Sequence, residues 1–379
     1  MSVATRPAFV RTGPSRAMAL AASLLLAACG GGDGGTDPIS PPPAPPPPPP
    51  PPAEAKSLRQ LAGALSRPIG VGTAVGSLFY ANDANGTQYR AILAREFDVV
   101  VSENDMKFSS VQPTRGNFVF TRADALVAFA EANGMRVRGH TLVWHQQLPA
   151  WLTSGTWTPE QADELLASHV NTVAGRYAGK VVAWDVVNEV FNDGQALPRQ
   201  SFWMTNLGRG YVERAFRLAD AADPGAALFY NDYNIEAVNA KSDSVYNMLA
   251  DFKARGVPVD GVGLQFHMIA GALPTLASMQ QNFDRFAALG LRIHITELDV
   301  RVTTPATATS LATQATNYRT IYQLCMGTPA CEMAVTWGFT DRESWIPTTF
   351  PGTGDALLFD ASFGRKPAYD AVHALLSGN

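Results

Sequence analysis

The sequence predicts an α/β fold, a single (β/α)8 barrel spanning residues 54–379. Three observations predict it. Eight short β-branched or apolar runs recur along the chain at strand length. Helix-like segments lie between most of them, several closing on a glycine. Polar and ionisable residues gather at the C-terminal ends of the runs, and in a closed barrel those ends share one face.

The first run is IGVGTAV (69–75). A doubly wound open sheet would place a G-x-G-x-x-G phosphate turn here, and GVGTAVG does not have that spacing. The second, DVVVSEN (98–104), ends in Glu103 and Asn104 and leads to a helical segment, 122–134. RVRGHTLVW (136–144) carries His140 and Trp144, with His145 just beyond, and precedes the helical pattern at 159–179. VVAWDVVNE (181–189) ends in Asn188 and Glu189, and a helix is predicted over 211–223. ALFYNDY (227–233) ends in Asn231, Asp232 and Tyr233, followed by Asn234 and a helix over 244–256. GVGLQFH (261–267) supplies Gln265 and His267 before a helix over 278–290. RIHITELDV (292–300) holds Glu297 and Asp299. EMAVTWGF (332–339) carries Trp337, with Trp345 eight residues on, and the helix at 366–378 closes the set. Gly134, Gly179, Gly256 and Gly290 stand where a helix C-terminus takes a left-handed residue.

Residues 1–53 are read apart from the barrel. Arg6, Arg11 and Arg16 precede MALAASLLLAA, which stops at Cys29. A basic start, a short apolar core and small residues describe an export signal over 1–28, and the run is far short of the ~20 residues a bilayer needs. LAAC resembles a bacterial lipobox, which implies cleavage before Cys29 and a lipid on its sulfur, anchoring the exported protein to a membrane. Gly30 follows rather than Asp, the residue that would suggest inner-membrane retention. Residues 29–53 are Gly- and Pro-rich, a tether that cannot bury apolar surface.

The full chain carries a net charge of −4, and loss of three arginines with 1–28 leaves −7, with no basic face for nucleic acid. The chain is read as a monomer. With Cys29 committed to lipid, Cys325 and Cys331 remain as a pair in an oxidising compartment, a staple worth roughly 2–3 kcal/mol.

Polar residues at the ends of six runs predict an active site. Two carboxyl groups, Glu189 and Glu297, facing each other over a cleft are the equipment of glycoside hydrolysis: one protonates the leaving oxygen, the other attacks the anomeric carbon or activates water. Asn188 offers an amide to a sugar or to the opposing carboxylate. His267, beside the seventh strand, is placed to keep Glu297 ionised. Glu189 has no Lys or Arg close in sequence, as suits a proton donor. Trp144, Tyr233, Trp337 and Trp345 suit the C–H faces of a pyranose. His140, His145 and His267 raise a metal-dependent hydrolase, but the first strand lacks a His-x-His and Trp144 divides the first two. No metal or cofactor is expected. A carbohydrate-binding lipoprotein without catalysis would account for the aromatics and tether, though not for the paired glutamates.

WDVVNE, ITELDV, HTLVWHQQLPAW, ENDMKF, YNDYN, GLQFH and WGFTDRESW together resemble glycoside hydrolase family 10, the endo-1,4-β-xylanases, over about Leu58 to Leu376. The resemblance implies retaining hydrolysis of xylan, with Glu189 as acid/base and Glu297 as nucleophile about 5–5.5 Å apart. It also implies that Glu103, Asn104, Lys107, His140, Trp144, Asn188, Gln265, His267, Trp337 and Trp345 line the glycone side, with Tyr233 and Asn234 toward the leaving group. The Cys325–Cys331 spacing looks like a disulfide found in relatives. One departure is Ile346, where many relatives carry Arg, at what is expected to be the far edge of the cleft. A related barrel acting on cellulose is the nearest rival.

Overall fold

The computed structural model describes residues 55–194 and 197–378. The export segment 1–28, the tether 29–53 with Cys29, and residue 54 lie outside the described residues.

Eight parallel strands close into a barrel: β1 Gly70–Val75, β2 Val99–Ser102, β3 Arg136–Gly139, β4 Val181–Asn188, β5 Ala227–Asp232, β6 Gly261–Leu264, β7 Arg292–Thr303 and β8 Cys331–Thr336. Each pairs with the next, and β8 returns to β1 through Gly70↔Met333 to Thr73↔Thr336. Among the described residues, a helix follows every strand: α1 Ala84–Glu96, α2 Thr121–Ala132, α3 Pro159–Arg176, α4 Gly210–Ala222, α5 Ala240–Ala254, α6 Leu276–Ala288, α7 Ala308–Gly327 and α8 Pro367–Leu376. With helices on the outside and side chains on the inside, the strands are buried on both faces and read as continuous apolar runs.

Sequence and structure differ in four places. The pattern reading did not pick out α1 or α7. In α1, Asn, Gly, Thr and Gln dilute the apolar spacing, and Tyr89 and Leu93 carry the buried face almost alone. α7 is rich in Thr and Ala, and its buried side includes Gln314 and Asn317 beside Tyr318, Ile321 and Tyr322. The third strand stops at Gly139 rather than running on to Trp144; beyond it the Leu142 N–H still donates to Asp185 O at 3.0 Å and the bridge Val143↔Val187 continues the pairing with β4. The sixth run breaks after Leu264 and resumes as a short strand, His267–Ile269, against β7.

The four glycines expected to end helices all have positive φ, between 59° and 75°. The carboxyl pair at the strand ends rests on a polar layer. Arg138 from β3, Phe229 from β5 and His294 from β7 touch one another: the His294 and Phe229 rings stack at 4.0 Å, and the Arg138 guanidinium lies 5.4 Å from Phe229. Contributions from alternate strands are how such barrels fill their interior. One step toward the C-terminal end, Asp185 on β4 takes both arms of Arg138 and, on the other side, His140 Nδ1 at 2.9 Å. Arg138 and Asp185 are both buried. Such a pair holds its geometry because removing either partner would strand a charge.

Candidate active site

The C-terminal face opens into a cleft of about 780 Å³. All fourteen predicted site residues line it: Glu103, Asn104, Lys107, His140, Trp144, Asn188, Glu189, Tyr233, Asn234, Gln265, His267, Glu297, Trp337 and Trp345. Six further residues do so as well: Gln146, Gln147, Asp193, Arg301, Thr349 and Phe350. Each of the six sits in a loop or past the strand segment quoted above, where no periodic pattern points to it.

Glu297 projects from β7 and is almost wholly buried. Asn231 Nδ2 donates to its Oε1 at 2.8 Å, and His267 Nε2 lies 3.2 Å from Oε2. Burial alone would raise the pKa of this carboxyl. The His267 hydrogen bond and the charges of His140 and His267 outweigh burial and hold it below the usual carboxylate range. His267 is in turn sandwiched: its Nδ1 meets Asp299 Oδ2 at 2.8 Å, and Trp345 Nε1 donates to the same oxygen at 2.9 Å. Burial would lower the imidazole pKa, but the charge and hydrogen bond of Asp299, helped by Glu297, bring it up to about 10. An imidazolium therefore stands between two carboxylates at neutral pH.

Glu189 directly follows β4, three strands around the ring from β7. Trp144 Nε1 donates to its Oε2 at 2.8 Å; Gln265 Nε2 and Asn188 Nδ2 donate to Oε1 at 3.0 and 3.2 Å. Its φ of 58° is uncommon for a residue with a side chain and costs about 1–3 kcal/mol. The neighbours hold it there. Its N–H donates to Asn231 O at 2.9 Å, and Arg199 Nε donates to its main-chain oxygen at 3.3 Å. Arg199, ten residues further along the chain, thus reaches the backbone and not the carboxyl group. His145 Nδ1 lies 3.8 Å from Glu189 Oε2. Burial, then the charges of Arg199 and Lys241, push this imidazole down to about 4, so it is neutral.

Asn231 links the two halves. Its Nδ2 donates both to Glu297 Oε1 and to Asn188 Oδ1, each at 2.8 Å, while Thr296 Oγ1 donates to its Oδ1 at 2.7 Å. The space for this amide exists because Gly263 faces it across β5 and β6; a Cβ there would stand 2.3 Å from Asn231 Oδ1. Asn188 therefore reaches the opposing carboxylate only through Asn231.

The walls divide by chemistry. Lys107 Nζ lies 3.2 Å from Asn104 Oδ1 and over the rings of Trp144 and Trp337 at 4.9 and 5.8 Å. Burial pulls its pKa down against the opposite pull of Glu297, Glu103 and Glu189. Burial raises Glu103, with Lys107 opposing. On the other wall, Lys241 sits 3.5 Å under the Tyr233 ring and 2.9 Å from Asp232 Oδ1. Arg199 Nη2 donates to the Tyr233 hydroxyl at 3.1 Å. His140 and His267 bond to carboxylates, and His145 is neutral 3.8 Å from one; among the described residues no group of three or more His, Cys, Asp or Glu side chains is arranged to hold a metal. Ile346 does not form the cleft edge; it is buried with Ala356 and Leu357 beneath Trp345 and Phe350. Far from the cleft, Cys325 at the end of α7 is disulfide-bonded to Cys331 at the start of β8.

Residues 58–375 match the sequence profile of glycosyl hydrolase family 10. Endo-1,4-beta-xylanase B of Thermotoga neapolitana is 42% identical over 320 residues, covering 84% of this chain and 91% of the relative. Endo-1,4-beta-xylanase A of Phanerodontia chrysosporium is 41% identical over 306 residues, covering 79% and 74%. Xylanase 10B of Thermotoga petrophila RKU-1, solved in complex with xylobiose, superposes with a TM-score of 0.83 at 43% identity, covering 86% of this chain and 98% of that one. Native xylanase 10B of Thermotoga maritima gives 0.82 at 44% identity, covering 85% and 98%.

Proposed function

The chain belongs to glycosyl hydrolase family 10, and from that membership we propose an endo-1,4-β-xylanase that cuts internal bonds of xylan with retention of anomeric configuration. One observation carries the reading. Glu189 and Glu297 line the same open cleft from different staves of the barrel, with aromatic rings beside them. The xylanase names of the relatives and the xylobiose held by a structural neighbour support the substrate.

Glu297 is the nucleophile in this reading. An environment that keeps it ionised, with Asn231 and His267 aimed at its oxygens, suits attack on the anomeric carbon. Glu189 gives its proton to the glycosidic oxygen as the C–O bond breaks, leaving a glycosyl ester on Glu297. Glu189, now a carboxylate, takes a proton from water; the water oxygen displaces Glu297 and both carboxyl groups return to their starting state. His267 stays protonated throughout and moves no proton in either step.

The test compares two substrates. Glu297→Ala is expected to abolish turnover of both xylan and an aryl xylobioside. Glu189→Ala is expected to keep far more rate on the aryl substrate, whose leaving group needs no proton. Equal losses on both would refute the assigned roles. Rates on xylan and carboxymethyl cellulose separate the xylanase reading from a glucanase.

The chain is further read as exported and lipid-anchored through Cys29, on the strength of Arg6, Arg11, Arg16 and the LAAC stretch. Cys29→Ser is expected to release active enzyme into the soluble fraction; unchanged membrane association would overturn the anchor.

A further inference from the structure

The cleft carries a cation that its own acids leave free. Arg301 lies on β7 beyond Asp299, half-buried, and its guanidinium stands 4.0 Å from the ring of Phe350. Among the described residues no carboxylate comes within ion-pair distance of it, and no side-chain hydrogen bond uses its donors. Lys107, by contrast, is spent on Asn104 and two indoles, and His267 on Asp299 and Glu297.

Ring contacts place this arginine relative to the chemistry. His267, 3.2 Å from Glu297, meets Trp345 at 4.9 Å; Trp345 meets Phe350 at 5.6 Å; Phe350 carries Arg301. Arg301 is thus at the outer end of a wall that starts at the nucleophile. Glu103, Asp193 and Glu297 line the rest of the cleft, and Lys107 and His267 are already engaged with groups inside it, so Arg301 is the cation left to meet an anion on the substrate. A guanidinium stacked on an aromatic ring keeps its edge free, and that edge matches a carboxylate with two parallel N–H donors.

We propose that Arg301, seated on Phe350, recognises a carboxylate-bearing branch of the xylan backbone, a uronic acid, on the Trp345 side of the cleft. The inference rests on the xylanase reading and narrows its substrate to acidic xylan.

The test uses three oligosaccharides of one backbone length: linear, branched with a uronic acid, and the same branch with its carboxyl reduced to an alcohol. Wild type is expected to prefer the acidic branch over the reduced one, and to lose that preference as salt rises. Arg301→Gln is expected to lower kcat/KM on the acidic substrate about fivefold, the size of an exposed charge pair, with the other two within twofold. Arg301→Lys, which keeps the charge without the fork, is expected to fall between. Affinity of the three ligands for Glu297→Ala, with and without Arg301→Gln, should repeat the pattern without turnover. Equal treatment of acidic and reduced branches by wild type, or an equal loss on all three by Arg301→Gln, overturns the proposal. Failure of wild type on the linear substrate instead overturns the xylanase reading.

Discussion

Replacing His267 by Gln keeps a hydrogen-bonding side chain beside Glu297 and removes a positive charge. At 3.2 Å and an effective dielectric constant of about 20, the lost attraction is at most about 5 kcal/mol. Asp299, 2.8 Å from the other ring nitrogen, already absorbs part of that field, so the effect on Glu297 is smaller. An opposite charge at this range ordinarily moves a carboxyl by about one to three pH units. The sign is set by what stays ionised. Wild-type Glu297 is held below the usual range, chiefly by His267 against burial; without that charge, and with Asp299 left anionic nearby, its proton is held more tightly. The acidic limb of the kcat/KM profile should therefore move up by about one unit or more, while the rate at pH 7–8 changes far less. The double variant His267→Gln/Asp299→Asn removes the residual anion and should bring the limb partly back. The imidazolium also contributes to stability: its folded pKa of about 10 lies above the ordinary imidazole value of 6.5, so its contribution is complete below 6.5 and lost as pH rises through 10. Wild-type Tm should fall over that interval and the variant's Tm should not. An acidic limb that stays in place while kcat collapses at every pH would show that His267 only positions Glu297, and the electrostatic account would be wrong.

Three other outcomes follow from the same contacts. Asn231→Ala leaves Glu297 Oε1, Asn188 Oδ1 and Thr296 Oγ1 without their amide; kcat/KM on xylan should drop about tenfold or more, with Tm lowered by the roughly 1–3 kcal/mol that buried unpaired groups cost. Lys241→Met strands Asp232, a carboxyl that burial raises to about 7 even with the lysine beside it. Denaturant titration should show a loss that grows above pH 7 by at most about 1.4 kcal/mol per pH unit, because below that pH the carboxyl takes up a proton instead, and Asp232→Asn added to it should recover part of that. Replacing Cys325 and Cys331 together by Ser opens a loop of sequence separation six, worth about 2 kcal/mol by loop entropy. Because Cys331 begins β8, at the barrel end opposite the cleft, kcat/KM should not change while Tm falls by a few degrees.

What could be read before folding was whatever a single strand carries by itself. Glu189 and Glu297 stand at the ends of apolar runs, and the rule that such ends share a face was enough to bring them to one cleft. Asn231 was visible as a strand-end polar residue, yet its office as the bridge depends on three separate facts. β5 lies between β4 and β7, Gly263 leaves a void opposite it, and Asn188 and Glu297 both turn toward that void. None of these is a property of residues 227–233. Arg138 and Asp185 were hidden for a related reason. Each sits inside a run whose neighbours are apolar, and only closure of the barrel shows that the two point inward and meet. Loops contributed the least. Arg301 continues past the strand pattern, and Phe350 comes from a segment with no periodicity; neither says anything about ligand until Trp345 is found packed between the nucleophile's histidine and the phenylalanine that carries the arginine. Ile346 shows the same limit from the other side. A residue expected at a cleft edge is buried under that edge, because the chain turns into a short helix at Trp345 and directs the next side chain into the protein. Strand ends place the reacting groups in this barrel, and loop packing decides which sugars can reach them; the second kind of information exists only once the chain is folded.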